Sequence, residues 1–379
     1  RSHFGSSPKP ARASALVVPL LRTRGRGPVM ASRIVKLEEG QDSSGSSNEE
    51  LEPSDEEEIL HEAYDTLEES VYGWAVSMVV RDTVFLSEGT AVPWHRLARI
   101  LNSMFLIVAT IVLQIFLLLA VSRLLSAPAV LTIRKTYDKY QVLMYPNHTE
   151  FTVNGFHRGL PGYRQEERFH IMSEDEAKEV CEIPMAHPYY LASILFIWTL
   201  TCQLEVRAIY EEFVRVIWKT PTVRNASDVL KPGEEDHSVY VMGLTRLMKF
   251  IIGGLVLLPR MITLVALLYI GCRWLTATLG LGDVLLNGLA LEFLVLLKEL
   301  FYNVCVSHRN RVDTQRLLVR PFRDINKATC CTFFDTQMWG LLSLIWVVSY
   351  IYYVQMVLPD YRWDVSDVCN KFLPKGPLF

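Results

Sequence analysis

Apolar and polar residues alternate along this chain in long blocks. Met104–Val121 runs without a charge, and so does Met338–Leu358; Ile183–Leu204 is equally apolar. Phe250–Tyr302 carries two further apolar runs joined by a short loop. A membrane-spanning helix needs about 20 apolar residues. The blocks therefore predict five spans, at 100–125, 183–206, 250–272, 283–303 and 333–358. The fold class that follows is an all-α integral membrane protein of about five transmembrane helices, with a small exoplasmic loop domain and a disordered acidic N-terminal tail.

The polar blocks divide the remainder. Residues 1–53 are rich in Ser, Gly and Arg, then in Glu, and bury too little apolar surface to order themselves. Ser54 and Glu57 have capping-box spacing. Leu60, Tyr64, Leu67, Val71, Trp74 and Met78 then recur at helical spacing. An amphipathic helix and linker over 54–99 is expected, packing on the protein or lying at the cytosolic membrane surface. Its acidic face argues against an anionic bilayer as partner. Residues 126–182 are punctuated by Gly and Pro. They read as the exoplasmic loop domain, with short strands at Val142–Tyr145 and Phe151–Val153 and a helical turn or two over Ser173–Glu182. The other connections are a cytosolic helical linker at 207–249, a short exoplasmic loop at 273–282, a basic cytosolic loop at 304–332 and an exoplasmic tail at 359–379.

Net charge is −3 over 379 residues and hides a strong division. Arg1 to Lys36 contains no acid; Leu37 to Val80 contains fourteen acids and no Lys or Arg. The first Met is Met30. Two readings of residues 1–29 stand: an upstream or fragment remnant, or an Arg- and Ser-rich targeting peptide. Basic residues cluster between spans 2 and 3 (Arg215, Lys219, Arg246, Lys249) and between spans 4 and 5 (Arg309, Arg311, Arg316, Arg320). Excess positive charge marks the cytosolic side. The N-terminus is then cytosolic and the C-terminus exoplasmic. The sequon at Asn147 would be open to glycosylation, whereas that at Asn225 would face the cytosol. Cys181 and Cys369 fall on the exoplasmic side, where a disulfide would tie loop to tail. Cys305, Cys330 and Cys331 sit at cytosolic span ends, as palmitoylation sites or as small buried residues.

Charges inside the apolar runs are the candidate site. Arg260 and Glu292 lie sixteen positions either side of Thr276. A lone charge at mid-membrane costs at least about 2.5–3.5 kcal/mol, so an ion pair between these depth-matched residues is expected. It serves either to fix hairpin register or as part of an ion or proton path. Pro259 cannot donate to the carbonyl of Leu255; with Gly253 and Gly254 one turn earlier it predicts a kink or a close helix approach. Lys298 and Glu299 sit near the cytosolic end of span 4, where Lys can snorkel. Glu211 and Glu212 read as a solvated face.

No P-loop, GxGxxG, HExxH or GxSxG is present. No catalytic residue, metal ligand or cofactor is expected, and nothing points to nucleic acid.

From about Val241 to Pro321, the pattern LPR…GxxxLxxxLGLGDVLLNGLALEFLVLLKELFY…RP resembles uncharacterised multi-pass membrane proteins of dinoflagellate algae. The resemblance covers about a fifth of the chain and implies a membrane hairpin, without an activity. Two functions follow. One is a channel or transporter subunit, or a sensor, using Glu292 and Arg260; a pore would need a homo-oligomer. The other is a structural or scaffolding membrane protein whose acidic tail recruits cytosolic protein partners. The lipid bilayer is a partner in both.

Overall fold

The computed structural model describes residues 64–88, 94–146, 149–233, 238–322 and 330–372. The acidic tail, the Ser54–Glu57 cap and Asn147 lie outside them.

Four helical rods are long and apolar enough to cross a membrane: Trp94–Met144, Pro188–Lys219, Arg246–Ala277 and Gln337–Val354. Each carries a π-turn, which interrupts the first and third and ends the second and fourth. The first comprises α2 (Trp94–Ala120), a π-turn at Val121–Ser126 and α3 (Ala127–Met144). The second is α5 (Pro188–Phe213), closing in a π-turn at Val214–Lys219. The third is α6 (Arg246–Ile251), a π-turn at Ile252–Leu257, then α7 (Leu258–Ala277). Pro259 stands in the first turn of α7, where its missing N–H is tolerated. The irregularity expected from Gly253, Gly254 and Pro259 is thus a widened turn. Close helix approach falls elsewhere. A Cβ on Gly271 would lie 2.6 Å from Trp198 Nε1, so Gly lets α7 meet α5 there.

α8 (Leu281–Cys305) follows a tight turn in which Gly280 has φ 89°. It has 25 residues, about 37 Å at 1.5 Å each. Asp283, Glu292, Lys298 and Glu299 set it apart: each of the four rods has an 18-residue apolar stretch with at most two charges, and α8 has no such stretch. The last long rod is α10 (Cys330–Ser349), with a π-turn at Tyr350–Val354.

Several expectations give way. Residues 64–70, expected within the helix from Ser54, are not helical: α1 is Val71–Glu88. It is buried all round rather than on one face, from Val71 to Val80. Its sequence, VYGWAVSMVV, is apolar on every side, so neighbours must cover every side. It packs on α2 through Asp82–Arg99 at 3.2 Å, and Asp313, from a later helix, pairs with Arg81 at 3.2 Å and Arg99 at 3.5 Å. Val142–Met144 is not a strand but the end of α3, which continues far past the apolar run. The linker 207–249 is helical to Lys219, where Pro221 follows, and again from Arg246; strands lie between.

Those strands build one end of the molecule. β1 (Asp65–Thr66), β6 (Leu317–Val319), β5 (Val239–Val241) and β4 (Leu230–Pro232) form a sheet in the order β1-β6-β5-β4. Only β5 and β6 are parallel. Beside the sheet, α9 (His308–Gln315) lets Arg311 donate to the last carbonyls of α8, those of Tyr302, Asn303 and Val306. Lys249 likewise donates to the carbonyls of Ile217 and Thr220 at the end of α5. Cations are favoured at helix C-termini for this reason.

The opposite end holds the β2–β3 hairpin (Glu150–Phe151 and His157–Arg158), α4 (Glu174–Cys181, capped by Ser173) and the returning tail with α11 (Val365–Phe372). A disulfide joins Cys181 to Cys369. Arg134 donates to the carbonyls of Met356 and Val357, and Arg362 pairs with Glu150 at 3.0 Å.

Candidate functional site

The outward faces of the rods locate the middle of the bundle. Exposed large apolar side chains run from Leu247 to Tyr269 on α6–α7, from Leu285 to Val304 on α8 and from Ile197 to Trp218 on α5. On α6–α7 that is about 33 Å, close to the roughly 30 Å of a hydrocarbon core. Arg260 and Glu205 fall near the centre of this belt, Lys298 and Glu212 nearer its sheet end, and all four are buried.

Glu205 and Glu212 are seven residues apart on α5, two turns along one face. Both meet Arg260, which is 4% exposed: Nη2 lies 2.9 Å from Glu205 Oε2 and Nη1 lies 3.2 Å from Glu212 Oε2. A third carboxylate comes from the segment between β1 and α1. Glu68 Oε2 is 3.0 Å from Arg260 Nη2. Lys298 completes the set: its Nζ lies 2.7 Å from Glu205 Oε1 and also bonds Glu68 Oε1. The Tyr72 ring covers the guanidinium at 4.8 Å, a favourable cation–π arrangement. Burial alone would raise the Glu68 carboxyl, but Arg260 and Lys298 outweigh it and hold it down at about 2.

A small cavity of about 40 Å³ adjoins the cluster, bordered by Tyr72, Gln114, Glu205, Arg260, Thr263 and Lys298 among others. At roughly 10–15 Å³ per site it has room for about three waters, and its polar rim supplies partners for them. Tyr72 Oη donates to Gln114 Oε1 at 3.3 Å on the far wall.

The expected Arg260–Glu292 pair does not form. Glu292 is exposed on the outer face of α8. Counting from the hairpin turn matches two residues in depth but leaves their rotation about each helix free. Lys298 lies six positions beyond Glu292, about 240° around the helix, and it is Lys298 that faces inward. Nor does Lys298 snorkel: it is 3% exposed and ends on carboxylates. Glu212, expected in a solvated face, is buried against Arg260, while its neighbour Glu211 takes the exposed pairing with Arg207. Glu299 is half-buried outside the contact set. Cys305 is exposed, and the side chains of Cys330 and Cys331 lie outside the described residues.

Glu68, Glu205 and Glu212 were therefore missed as site residues. A signal for two of them existed: Glu205 and Glu212 are carboxylates at i and i+7 beside an otherwise apolar span. Among the described residues, no group of His, Cys, Asp or Glu is arranged to hold a metal ion.

No protein-family model matches the chain, and no match to it was found among curated proteins or solved structures.

Proposed function

We propose that the chain is a five-span, non-enzymatic membrane protein that serves as an ion- or proton-responsive channel or transporter subunit, or as a sensor, with the Arg260–Lys298 cluster as its working site. The observation that carries this is a buried cluster of five ionisable groups within the apolar belt, three of which, Glu205, Arg260 and Lys298, border a small cavity walled otherwise mainly by Leu and Val. Ionisable groups inside membranes are expensive and mark ion paths, proton relays and sensors.

Support for α8 as the fifth span comes from where its charges go. Lys298 is neutralised inside the bundle, and Asp283 stands in the first turn beside Gly280. Glu292 faces outward on α8 with no opposite charge beside it on that helix face, unlike the outward Arg207–Glu211 pair on α5, which supports a second copy covering the α8 face in a homo-oligomer. A cytosolic N-terminal side is supported by Arg215, Lys219, Lys249 and Arg311, all gathered at the sheet end. An exoplasmic tail is supported by the Cys181–Cys369 bond at the other end, since disulfides persist in oxidising compartments.

The test is flux. Purified protein in liposomes should carry a proton or monovalent-cation flux that Glu205→Gln abolishes while the variant stays folded. A second reading is architectural, and one observation favours it: Glu68 belongs to the chain entering α1, so the cluster fastens that segment into the bundle. No flux from the wild type, together with a melting loss in Glu68→Gln, would favour that reading.

A further inference from the structure

The cluster does not balance. Arg260 and Lys298 supply two positive charges, while Glu68, Glu205 and Glu212 supply three negative ones. The carboxylates do not share the cations equally. Glu205 and Glu68 each touch both Arg260 and Lys298. Glu212 touches only Arg260, at 3.2 Å, against closest approaches of 2.9 Å for Glu205 and 3.0 Å for Glu68. Its other oxygen, Oε1, is buried and has no hydrogen-bond partner. The Glu212 side chain is 7% exposed. A fully ionised carboxylate here would leave one desolvated oxygen with nothing opposite it.

We propose that the cluster binds one exchangeable proton, and that Glu212 Oε1 holds it. The proton brings the set to two cations and two carboxylates, and it leaves Oε2 free to accept from Arg260. The surroundings favour this site over the other two. Glu68 keeps its charge because two cations hold it low. Glu205 is likewise bracketed by two cations at 2.9 and 2.7 Å. Arg215, one turn further along α5, acts on Glu212 from a distance but is itself occupied by Asp65 at 3.5 Å and by the carbonyls of Asp65, Thr66 and Arg320. From α8, Lys298 is engaged by Glu68 and Glu205, and Glu299 adds only further negative charge. Glu68, from the chain entering α1, adds its negative charge to those acting on Glu212. This deepens the reading above and rests on the cluster's place inside the bundle, not on whether the cluster moves ions.

Infrared difference spectroscopy on the purified full chain in detergent tests it. At neutral pH the wild type should show a protonated-carboxyl band that shifts in D₂O. The band should be missing from Glu212→Gln and kept in Glu292→Gln. Gln mimics the neutral acid, so Glu212→Gln should melt at the wild-type temperature while Glu205→Gln melts lower. The proposal is overturned if wild type and Glu212→Gln share the same carboxyl spectrum. It is also overturned if Na⁺ or K⁺ at constant pH raises the wild-type melting temperature and Glu212→Gln removes that rise, because a metal cation then supplies the missing charge. Loss of flux activity alone would leave the band in place, so the two readings fail separately.

Discussion

Two buried polar centres, one around Arg260 and one around Asp364, are satisfied by different means. At mid-belt a guanidinium is met by carboxylates, and a second cation bridges two of them. In the loop domain a single buried carboxylate, Asp364, is met by the phenols of Tyr137 and Tyr145, while Arg164 and Tyr140 donate to its backbone carbonyl. Burial and the Asp364 carboxylate push the Tyr145 phenol up to about 12, so it remains a donor. The difference teaches where each solution is available. Water at the domain surface lets hydroxyls complete a carboxylate, and a covalent bond holds the strands of chain together. Inside the bundle, opposite charge offsets most of the loss of hydration.

The comparison is broken most severely at Arg260. Arg260→Met leaves Glu205 and Glu212 without their cation, and breaking a buried pair costs about 3–5 kcal/mol. Thermal unfolding in detergent should show that loss, or the folded yield should collapse. Next comes the loop domain's covalent tie. Replacing Cys181 and Cys369 with Ser releases a closure across 188 positions and should cost about 2–5 kcal/mol. Proteolysis should then open residues 149–182 first, with the span helices still protected. Asp364→Asn should cost less, about 1–3 kcal/mol, because the amide still accepts from one tyrosine; near-ultraviolet circular dichroism of the tyrosines should report it. The smallest effect concerns pH. Glu68 has a lowered folded-state pKa, so its contribution is present above the ordinary carboxylate range near 4.5 and is lost as pH falls toward about 2. Melting temperatures of wild type and Glu68→Gln should converge over that interval.

Much of the bundle could be read from the chain, since apolar runs report length and charge. Four rods stand where the runs place them, and Cys181 meets Cys369. The sheet was not legible: Asp65–Thr66 and Leu317–Val319 are too short and too far apart in sequence to announce each other. The candidate site was half legible. Arg260 drew attention because its run is apolar; Glu205 and Glu212 did not, because charges follow closely after them. Depth could be counted along one helix. The azimuth that turns Glu292 out and Lys298 in depends on how α8 packs against α1, α5 and α7 together, which local spacing does not encode.

The most direct test of the cluster is a pair of double-mutant cycles read by thermal unfolding. One combines Arg260→Gln with Glu205→Gln, the other Arg260→Gln with Glu292→Gln. The expected result is strong coupling in the first cycle, of about 0.5–3 kcal/mol, and additivity in the second. Coupling between Arg260 and Glu292 with none between Arg260 and Glu205 would contradict the cluster and restore the hairpin pair.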